Sequence, residues 1–166
     1  MSGTVQVLVK RLDRDLALPV RAHPGDAGFD LFAAREVVIA PGGGRATVPS
    51  GLAIALPAGW VGLVHPRSGL AANHGITVLN APGTVDAGYR GEVKVTLLNT
   101  DPVRPFHVQR GDRIAQIVFQ RFGEAQLIEV ERLPGSIRGG DGFGSTGRGA
   151  LGSAQPRQAG VLGSEE

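Results

Sequence analysis

The stretch GLAIALPAGWVGLVHPRSG at residues 51–69 decides the fold, because it holds two short apolar runs bounded by turn residues. Apolar runs of this length between Gly and Pro predict β-strands rather than helices. Pro57 and the glycines at 51, 59 and 62 also interrupt the apolar stretch, which excludes a membrane span here. The stretch therefore predicts an all-β protein.

The same pattern continues on both sides of this stretch. The alternation of Val5, Val7 and Val9 predicts a first strand. With 26 Gly and 11 Pro as turn residues, the spacing of the apolar runs favours a sandwich or barrel. One short helix is predicted, capped by Ser68 and stopped by Gly75. The remaining predicted strands are GLAIAL, WVGLVH, ITVLN, EVKVTLLN, DRIAQIVFQ and LIEV.

The composition changes at Gly135. Residues 135–166 are rich in Gly and Ser and have little apolar periodicity, which is typical of a flexible arm. We therefore predict a β domain over residues 1–134 and a flexible C-terminal arm over residues 135–166.

The composition also excludes several classes of function. Without Cys the chain has no disulfide framework, thiolate metal site or thiol nucleophile. A net charge of +2, with Lys and Arg scattered among acids and few aromatic residues, argues against a nucleic-acid partner. The first residues lack the apolar run of a signal peptide, so we expect a cytoplasmic protein that does not bind membranes.

Two segments could form an anion and cation site. In AGFDL at 27–31, Asp30 is a suitable carboxylate near a hydrated divalent cation, although a turn entering a strand explains the segment equally well. In PRSGLA at 66–71, Arg67 precedes the helix start, where free backbone N–H groups attract anions. A helix cap next to a solvated Arg is the alternative.

The segment NAPGTVDAGYRGE at 80–92 contains the only tyrosine of the chain. Asn80, Asp86 and Tyr89 supply an amide edge, a carboxylate base and a flat ring, which together suit a nucleotide pocket. An ordinary hairpin would have a similar sequence.

Two further segments complete the set. In GDRIAQIV at 111–118, the odd spacing between Arg113 and Gln116 predicts opposite faces of a regular strand, and a surface salt bridge between Asp112 and Arg113 is the alternative. RGGDGFGSTG at 138–147 matches GxGxxG, but that fingerprint needs a helix after it and a continuing βαβ unit, for which the residues up to 166 leave no room. Its arginine, hydroxyls and exposed N–H groups suit a phosphate-wrapping segment, and Phe143 indicates a docking partner, with a disordered tail as the alternative.

In this order, the five segments resemble the five motifs of the trimeric deoxyuridine triphosphatase (dUTPase) family. The resemblance implies a homotrimer of jelly-roll-like β domains whose active sites are shared among three subunits. It also implies an enzyme that hydrolyses dUTP to dUMP and pyrophosphate, which lowers dUTP and supplies dUMP for thymidylate synthesis. A dCTP deaminase of the same fold and a non-catalytic nucleotide- or protein-binding scaffold are the alternatives.

The resemblance assigns the third motif to catalysis and to recognition of the base and sugar. Asp86 matches the general base that activates a water, and it also binds the sugar 3′-hydroxyl. Tyr89 matches the ring that packs under the deoxyribose and excludes a 2′-hydroxyl. The other residues that match substrate-binding positions in this region are Asn80, Thr84, Val85 and Lys94.

The resemblance assigns the other motifs to the triphosphate. Mg²⁺ is implied as a cofactor carried by the phosphate oxygens, with Asp30 touching it only through water and no direct protein ligand. Phe143 matches a ring that stacks on uracil. The residues that match phosphate-binding positions are Arg67, Ser68, Gly69, Gln116, Arg138, Gly144, Ser145 and Thr146. Phe29 and Ala87 stand where many relatives have Tyr and Ser.

Overall fold

The computed structural model describes residues 4–136, which hold ten strands and one short helix. The elements are β1 Leu8–Arg11, β2 Gly28–Phe32, β3 Val37–Ile39, β4 Arg45–Ala55, β5 Trp60–His65, α1 Ser68–His74, β6 Ile76–Val78, β7 Gly83–Val85, β8 Glu92–Asn99, β9 Phe106–Val108 and β10 Arg113–Arg121.

Two four-stranded antiparallel sheets carry the fold, with strand orders β1-β4-β8-β6 and β2-β10-β5-β7. The short strands β3 and β9 pair separately. Most neighbouring strands are distant in sequence, as in a jelly roll, and the sheets do not close into a barrel. The predicted all-β, jelly-roll-like fold with one short helix is confirmed.

The core lies on the inward faces of the strands. In β8, Val93, Val95, Leu97 and Asn99 are buried and alternate with more exposed residues. This period of two is what places one face of a strand against a core. Each fully buried Val or Leu stabilises the fold by about 1.5–3 kcal/mol.

Three predicted strands differ from the structure. GLAIAL at 51–56 covers only the second half of β4, which begins at Arg45. The first strand begins at Leu8 instead of Val5, and all four of its residues are exposed. The strand predicted for LIEV at 127–130 is wrong, because residues 122–136 contain neither helix nor strand. A strand needs a partner for its N–H and C=O groups, and within residues 4–136 no segment pairs with 127–130.

A β-bulge interrupts the pairing of β4 with β8 between Pro49 and Ala53. At its centre Gly51 has φ +70°, a conformation that favours glycine. The Gly51 carbonyl accepts hydrogen bonds from the N–H groups of Leu12 (2.7 Å) and Asp13 (3.1 Å). The bulge therefore ties the start of the chain to the central pair of strands.

The loop after β8 is organised around one fully buried amide. Asn99 Nδ2 donates to the carbonyls of Ile39 (3.2 Å) and Arg104 (2.9 Å), and its Oδ1 accepts from the Asp101 N–H (3.0 Å). Asp101 in turn accepts from the N–H groups of Val103 and Arg104. Every polar atom of the buried amide is thus used, which fixes the path of residues 99–104.

The chain divides into two compact units, Met1–Ala125 and Gln126–Glu166. The first holds every strand and the helix of the described residues. In the second, residues 126–136 have no regular structure. The predicted division after residue 134 stays a prediction. The single helix within residues 4–136 does not have the length and apolar character needed to cross a membrane.

Candidate active site

Asp30 on β2 forms the centre of a charged cluster. Its side chain is 12% exposed, and its two oxygens face two arginines: Oδ1 lies 3.1 Å from Arg67 Nε, and Oδ2 lies 3.4 Å from Arg113 Nη1. Arg67 Nη1 also donates to the Arg113 carbonyl (3.1 Å). A carboxylate held between two guanidinium groups fixes the direction in which Arg67 presents its remaining N–H groups.

The start of α1 differs from the sequence prediction. Arg67, and not Ser68, occupies the cap position, with extended backbone angles of φ −96° and ψ 129°. No side chain caps the helix, so the prediction of a Ser68 cap is wrong. The predicted stop is confirmed, because Gly75 has φ 64° and its N–H bonds the Ala71 carbonyl.

Gln116 and Arg113 both reach this cluster, which corrects the prediction that they face opposite sides. The pairing of β10 with β2 shifts register between Arg113 and Ala115, so the strand is irregular where regular alternation was assumed. Gln116 Nε2 donates to the Pro66 carbonyl (3.1 Å). A Cβ at Gly28 would lie 2.3 Å from Gln116 Oε1, so Gly28 leaves the space that the amide occupies.

One pocket of about 380 Å³ is lined by Asp30, Arg67, Gly28 and Gln116 but not by Arg113. It collects the residues within 4–136 that the resemblance assigned to the triphosphate and its Mg²⁺. Its lining is Ala22, Asp26, Ala27, Gly28, Asp30, His65, Arg67, Ser68, Gly69, Gln116 and Val118. We call it the phosphate pocket.

A second pocket, of about 180 Å³, lies between β5, β7 and β8 and the turn after β7. It collects the five residues that the sequence assigned to base and sugar binding besides Asp86, and we call it the base pocket. Its lining is Val64, Val78, Asn80, Gly83, Thr84, Val85, Tyr89, Glu92, Val93, Lys94 and Val95. Within residues 4–136 the two pockets have no lining residue in common.

The turn that follows β7 presents Asp86 to solvent. The Tyr89 N–H donates to the Asp86 carbonyl (3.0 Å), which closes the turn. Arg90 Nη1 braces it by donating to the carbonyls of Ala87 (2.6 Å) and Tyr89 (2.8 Å). The Asp86 carboxylate is exposed and makes no hydrogen bond or ion pair within residues 4–136. It is therefore free to accept a proton from a water or to bind a hydroxyl.

The residues assigned to the arm are not part of this description. Arg138, Phe143, Gly144, Ser145 and Thr146 lie outside the described residues. Their predicted contacts with phosphate and uracil stay predictions.

The donor chemistry suits a metal ion that arrives with its ligand. Residues 4–136 contain no group of three or more His, Asp or Glu side chains that could cage an ion. Both oxygens of Asp30 already contact guanidinium groups, yet each keeps a lone pair that a metal-bound water could use. A Mg²⁺ ion that takes its ligands from phosphates and water fits this arrangement.

Sequence reasoning missed two residues of the cluster. The sequence left a surface salt bridge between Asp112 and Arg113 as an alternative, whereas Arg113 contacts Asp30 on a neighbouring strand. It gave Gly28 no role beyond a turn entering a strand, whereas Gly28 makes room for Gln116. No signal in the sequence could have found the Arg113 contact, because it depends on the register of β10 against β2.

An arginine-lined anion pocket and a polar pocket containing a half-exposed tyrosine, both on a jelly-roll-like sandwich, define a protein built to bind a nucleotide. The dUTPase family model matches residues 14–147. This chain belongs to the dUTPase family.

Individual relatives agree with this assignment. The chain is 63% identical over 153 residues to the deoxyuridine 5'-triphosphate nucleotidohydrolase of Thermobifida fusca, covering 92% of this chain and 85% of the relative. It is 55% identical to the enzyme of the same name from Corynebacterium glutamicum, covering 89% of this chain and 99% of the relative. Among solved structures, the dUTPase of Staphylococcus bacteriophage 80alpha with dUpNHpp has a TM-score of 0.80 at 29% identity, covering 87% and 99% of the two chains.

Proposed function

We propose that this protein hydrolyses dUTP to dUMP and pyrophosphate, with Asp86 as general base and Mg²⁺ as cofactor. The enzyme is a dUTP diphosphatase, which is the activity that the name of its relatives, deoxyuridine 5'-triphosphate nucleotidohydrolase, describes. One observation carries the proposal: the residues expected to bind base and sugar meet in one pocket, and those expected to bind phosphate meet in another.

The reaction needs a water aligned with the α-phosphorus. Asp86 accepts a proton from that water while the water oxygen bonds to phosphorus and the bond between phosphorus and the α,β-bridging oxygen breaks. Pyrophosphate leaves with the electron pair of that bond. The unpaired, exposed carboxylate of Asp86 supports this role, because a base already held by a cation would be a weaker proton acceptor.

Selection of base and sugar belongs to the base pocket. Asn80 and the backbone at Thr84 and Val85 face uracil, and the Tyr89 ring packs under the deoxyribose. A pocket that pairs the polar edge of one base leaves groups unpaired with another, which costs binding of cytosine. Lys94, exposed on β8 at the same pocket, supplies positive charge for the substrate.

The phosphate pocket binds the negatively charged triphosphate. Arg67, oriented by Asp30, and the backbone N–H groups of Ser68 and Gly69 bind phosphate oxygens, with Gln116 beside them. Mg²⁺ neutralises phosphate charge and polarises the reacting group when it is bound. In the arm, Arg138 with Gly144, Ser145 and Thr146 closes over the γ-phosphate, and Phe143 stacks on uracil.

We also propose that the site is shared among subunits, as the resemblance to the trimeric family implies. One nucleotide needs both pockets, and on this chain they have no lining residue in common. A homotrimer in which one subunit supplies the phosphate pocket, a second the base pocket and a third the arm satisfies this need. We place the enzyme in the cytoplasm, where it lowers dUTP and provides dUMP for thymidylate synthesis.

A substrate panel tests the proposed reaction. The protein is incubated with Mg²⁺ and, in separate reactions, dUTP, dCTP, dTTP or UTP, and pyrophosphate and ammonia are measured independently. Pyrophosphate from dUTP alone is the expected result. Ammonia from dCTP would identify a deaminase, and no product from any nucleotide would identify a binding scaffold.

A mixing experiment tests the shared site. Arg67→Ala damages only the phosphate pocket and Asp86→Asn only the base side. Refolded together, the two inactive variants should regain activity, because mixed trimers contain sites that take Arg67 and Asp86 from undamaged subunits. Activity that stays at the level of the separate variants would show that each site uses a single chain.

A further inference from the structure

The Tyr89 ring lies against the backbone of Gly91. A Cβ added at Gly91 would lie 2.5 Å from Tyr89 Oη, 2.7 Å from Cζ and 3.0 Å from Cε2. All three distances are shorter than normal contacts between unbonded atoms, and all three belong to the hydroxyl end of one ring. Among the twenty amino acids, only glycine leaves this place for the ring.

A hydrogen bond holds the ring in this place. Tyr89 Oη donates to the Glu92 carbonyl (2.9 Å), while the Glu92 side chain accepts from the Gly51 N–H (3.0 Å) at the bulge in β4. The hydroxyl end is thus fixed between Gly91 and a strand residue that is itself anchored. Tyr89 as a whole is 45% exposed, which leaves ring surface available to a ligand.

The role of Gly91 differs from that of the turn glycines. Gly91 is not among the residues with positive φ, so its backbone tolerates a side chain. The atoms that a Cβ would meet are the far end of a side chain, which can rotate away. An added methyl group should therefore move the Tyr89 ring and leave the fold intact.

We propose that Gly91 is a specificity-determining residue, which sets how closely the Tyr89 ring fits the sugar of the nucleotide. The inference rests on the proposed function, in which that ring packs under the deoxyribose and excludes a 2′-hydroxyl. dUTP gains the close contact with the ring, whereas UTP never makes it. Displacing the ring removes an advantage that dUTP alone has.

Gly91→Ala tests this, with Gly88→Ala as the matched control. Both glycines lie in the same turn and neither has positive φ, but a Cβ at Gly88 meets no atom within 4 Å. In Gly91→Ala the ratio of kcat/KM for dUTP to that for UTP should fall by about ten- to a hundredfold, mainly through a higher KM for dUTP. In Gly88→Ala the ratio should equal the wild-type value.

The position of the ring is measured independently of activity. Tyr89 is the only tyrosine, so 3-fluorotyrosine gives the protein a single ¹⁹F resonance. The ¹⁹F resonance should shift in Gly91→Ala. The thermal unfolding midpoint should stay close to that of wild type, which would show that the fold is intact. Tyr89→Phe, which removes the bond to Glu92, should lower the selectivity ratio in the same direction by a smaller factor.

The outcomes separate the inference from the function on which it rests. A ¹⁹F resonance that does not shift in Gly91→Ala would contradict the proposed contact between the Tyr89 ring and Gly91, whatever the activity. A moved resonance with wild-type selectivity in both Gly91→Ala and Tyr89→Phe would overturn the role of the ring as a sugar gate, and the specificity role of Gly91 with it. Wild-type protein that fails to hydrolyse dUTP would instead contradict the proposed function.

Discussion

At the scale of single residues, Asp86 carries the proposed chemistry. Asp86→Asn keeps the shape of the side chain and its ability to bind a sugar hydroxyl but removes the proton acceptor. We expect kcat for dUTP to fall by about two to four orders of magnitude while dUTP still binds, which is the usual range for loss of a general base. Single-turnover kinetics and equilibrium binding measure the two properties separately, and wild-type turnover would refute the assignment.

Asp30 is expected to act through Arg67. Asp30→Asn leaves two guanidinium groups without a carboxylate, so Arg67 loses the partner at 3.1 Å that orients it. We expect kcat/KM for dUTP to fall about tenfold or more, as for loss of a charge-assisted hydrogen bond of about 1.5–3 kcal/mol. The preference for dUTP over UTP, which belongs to the other pocket, should not change.

Asp26 provides the matched control for this substitution. It lines the same pocket, but its carboxylate accepts from the His23 N–H (2.8 Å) and contacts no arginine among residues 4–136. Asp26→Asn removes the same charge from the pocket and should leave kcat/KM close to wild type. An equal loss in both variants would mean that pocket charge, and not the orientation of Arg67, is what matters.

The sequence predicted which residues share a pocket better than it predicted which residues contact one another. The motif order named five of the lining residues of each pocket, and their roles in binding stay predictions. The sequence could not predict the ion pair between Asp30 and Arg113 or the contact of the Tyr89 ring with Gly91. They depend on register and ring orientation, which are decided by packing across strands.

At the scale of elements, the bulge in β4 is a point of strain that only glycine avoids. Gly51→Ala places a side chain at φ +70° and brings its Cβ within 2.9 Å of the Asp13 Cβ. We expect the free energy of unfolding to fall by more than about 1 kcal/mol. Urea denaturation at fixed protein concentration measures the change.

Gly59→Ala separates backbone strain from the clash. Gly59 has φ +78°, but a Cβ there meets no atom within 4 Å. This variant should show only the cost of the left-handed backbone, so its loss should be smaller than that of Gly51→Ala. Equal decreases in the free energy of unfolding would show that the contact with Asp13 does not affect stability.

The loop after β8 should make stability depend on acid pH. Hydrogen bonds from the N–H groups of Arg104 and Val103 lower the pKa of the Asp101 carboxyl below its usual value. Since the folded pKa is depressed, the stabilisation is present above the unfolded pKa of about 3.9 and is lost as pH falls through the folded pKa. Asp101→Asn should therefore lose less stability than wild type when unfolding is followed below about pH 4.

Glu36→Gln is the control for acid titration. It removes one exposed carboxyl that makes no hydrogen bond or ion pair among the described residues. Its loss of stability on acidification should match that of wild type. If Asp101→Asn behaves in the same way, the hydrogen bonds to Asp101 do not couple its titration to folding.

Elements were predicted best where the pattern was local. β5 and β8 have the limits of WVGLVH and EVKVTLLN, because a run of β-branched and apolar residues between turns needs no distant information. The three-residue strands β3 and β9 were missed, since each is too short to show a period. LIEV shows the opposite failure: its propensity is that of a strand, but no described segment pairs with it.

At the scale of the whole molecule, the arm is expected to be needed for catalysis but not for assembly. Ending the chain after Pro134 removes the fifth motif at 138–147. We expect the trimer to survive and kcat/KM for dUTP to fall about a hundredfold or more, as for loss of preorganised donors around a reacting phosphate. Size-exclusion chromatography with light scattering and steady-state kinetics measure the two effects.

A truncated chain that keeps the fifth motif tests whether this motif accounts for the effect. A chain ending after Gly147 keeps residues 138–147 and loses the remainder, which has no assigned role. Its activity should be close to that of the full chain. An active protein ending at Pro134 would contradict the role of the arm, and an inactive one ending at Gly147 would place function in residues 148–166.

In the proposed trimer each site takes its phosphate pocket and its base pocket from different subunits, which has a consequence for inheritance. In the proposed trimer, a subunit defective in one pocket spoils one of three sites, whereas a subunit defective in both spoils two. A cell with one normal and one doubly defective gene copy therefore loses more activity than half, and two copies with defects in different pockets partly complement each other. Recessive and dominant behaviour would then be set by whether a mutation damages one pocket or both.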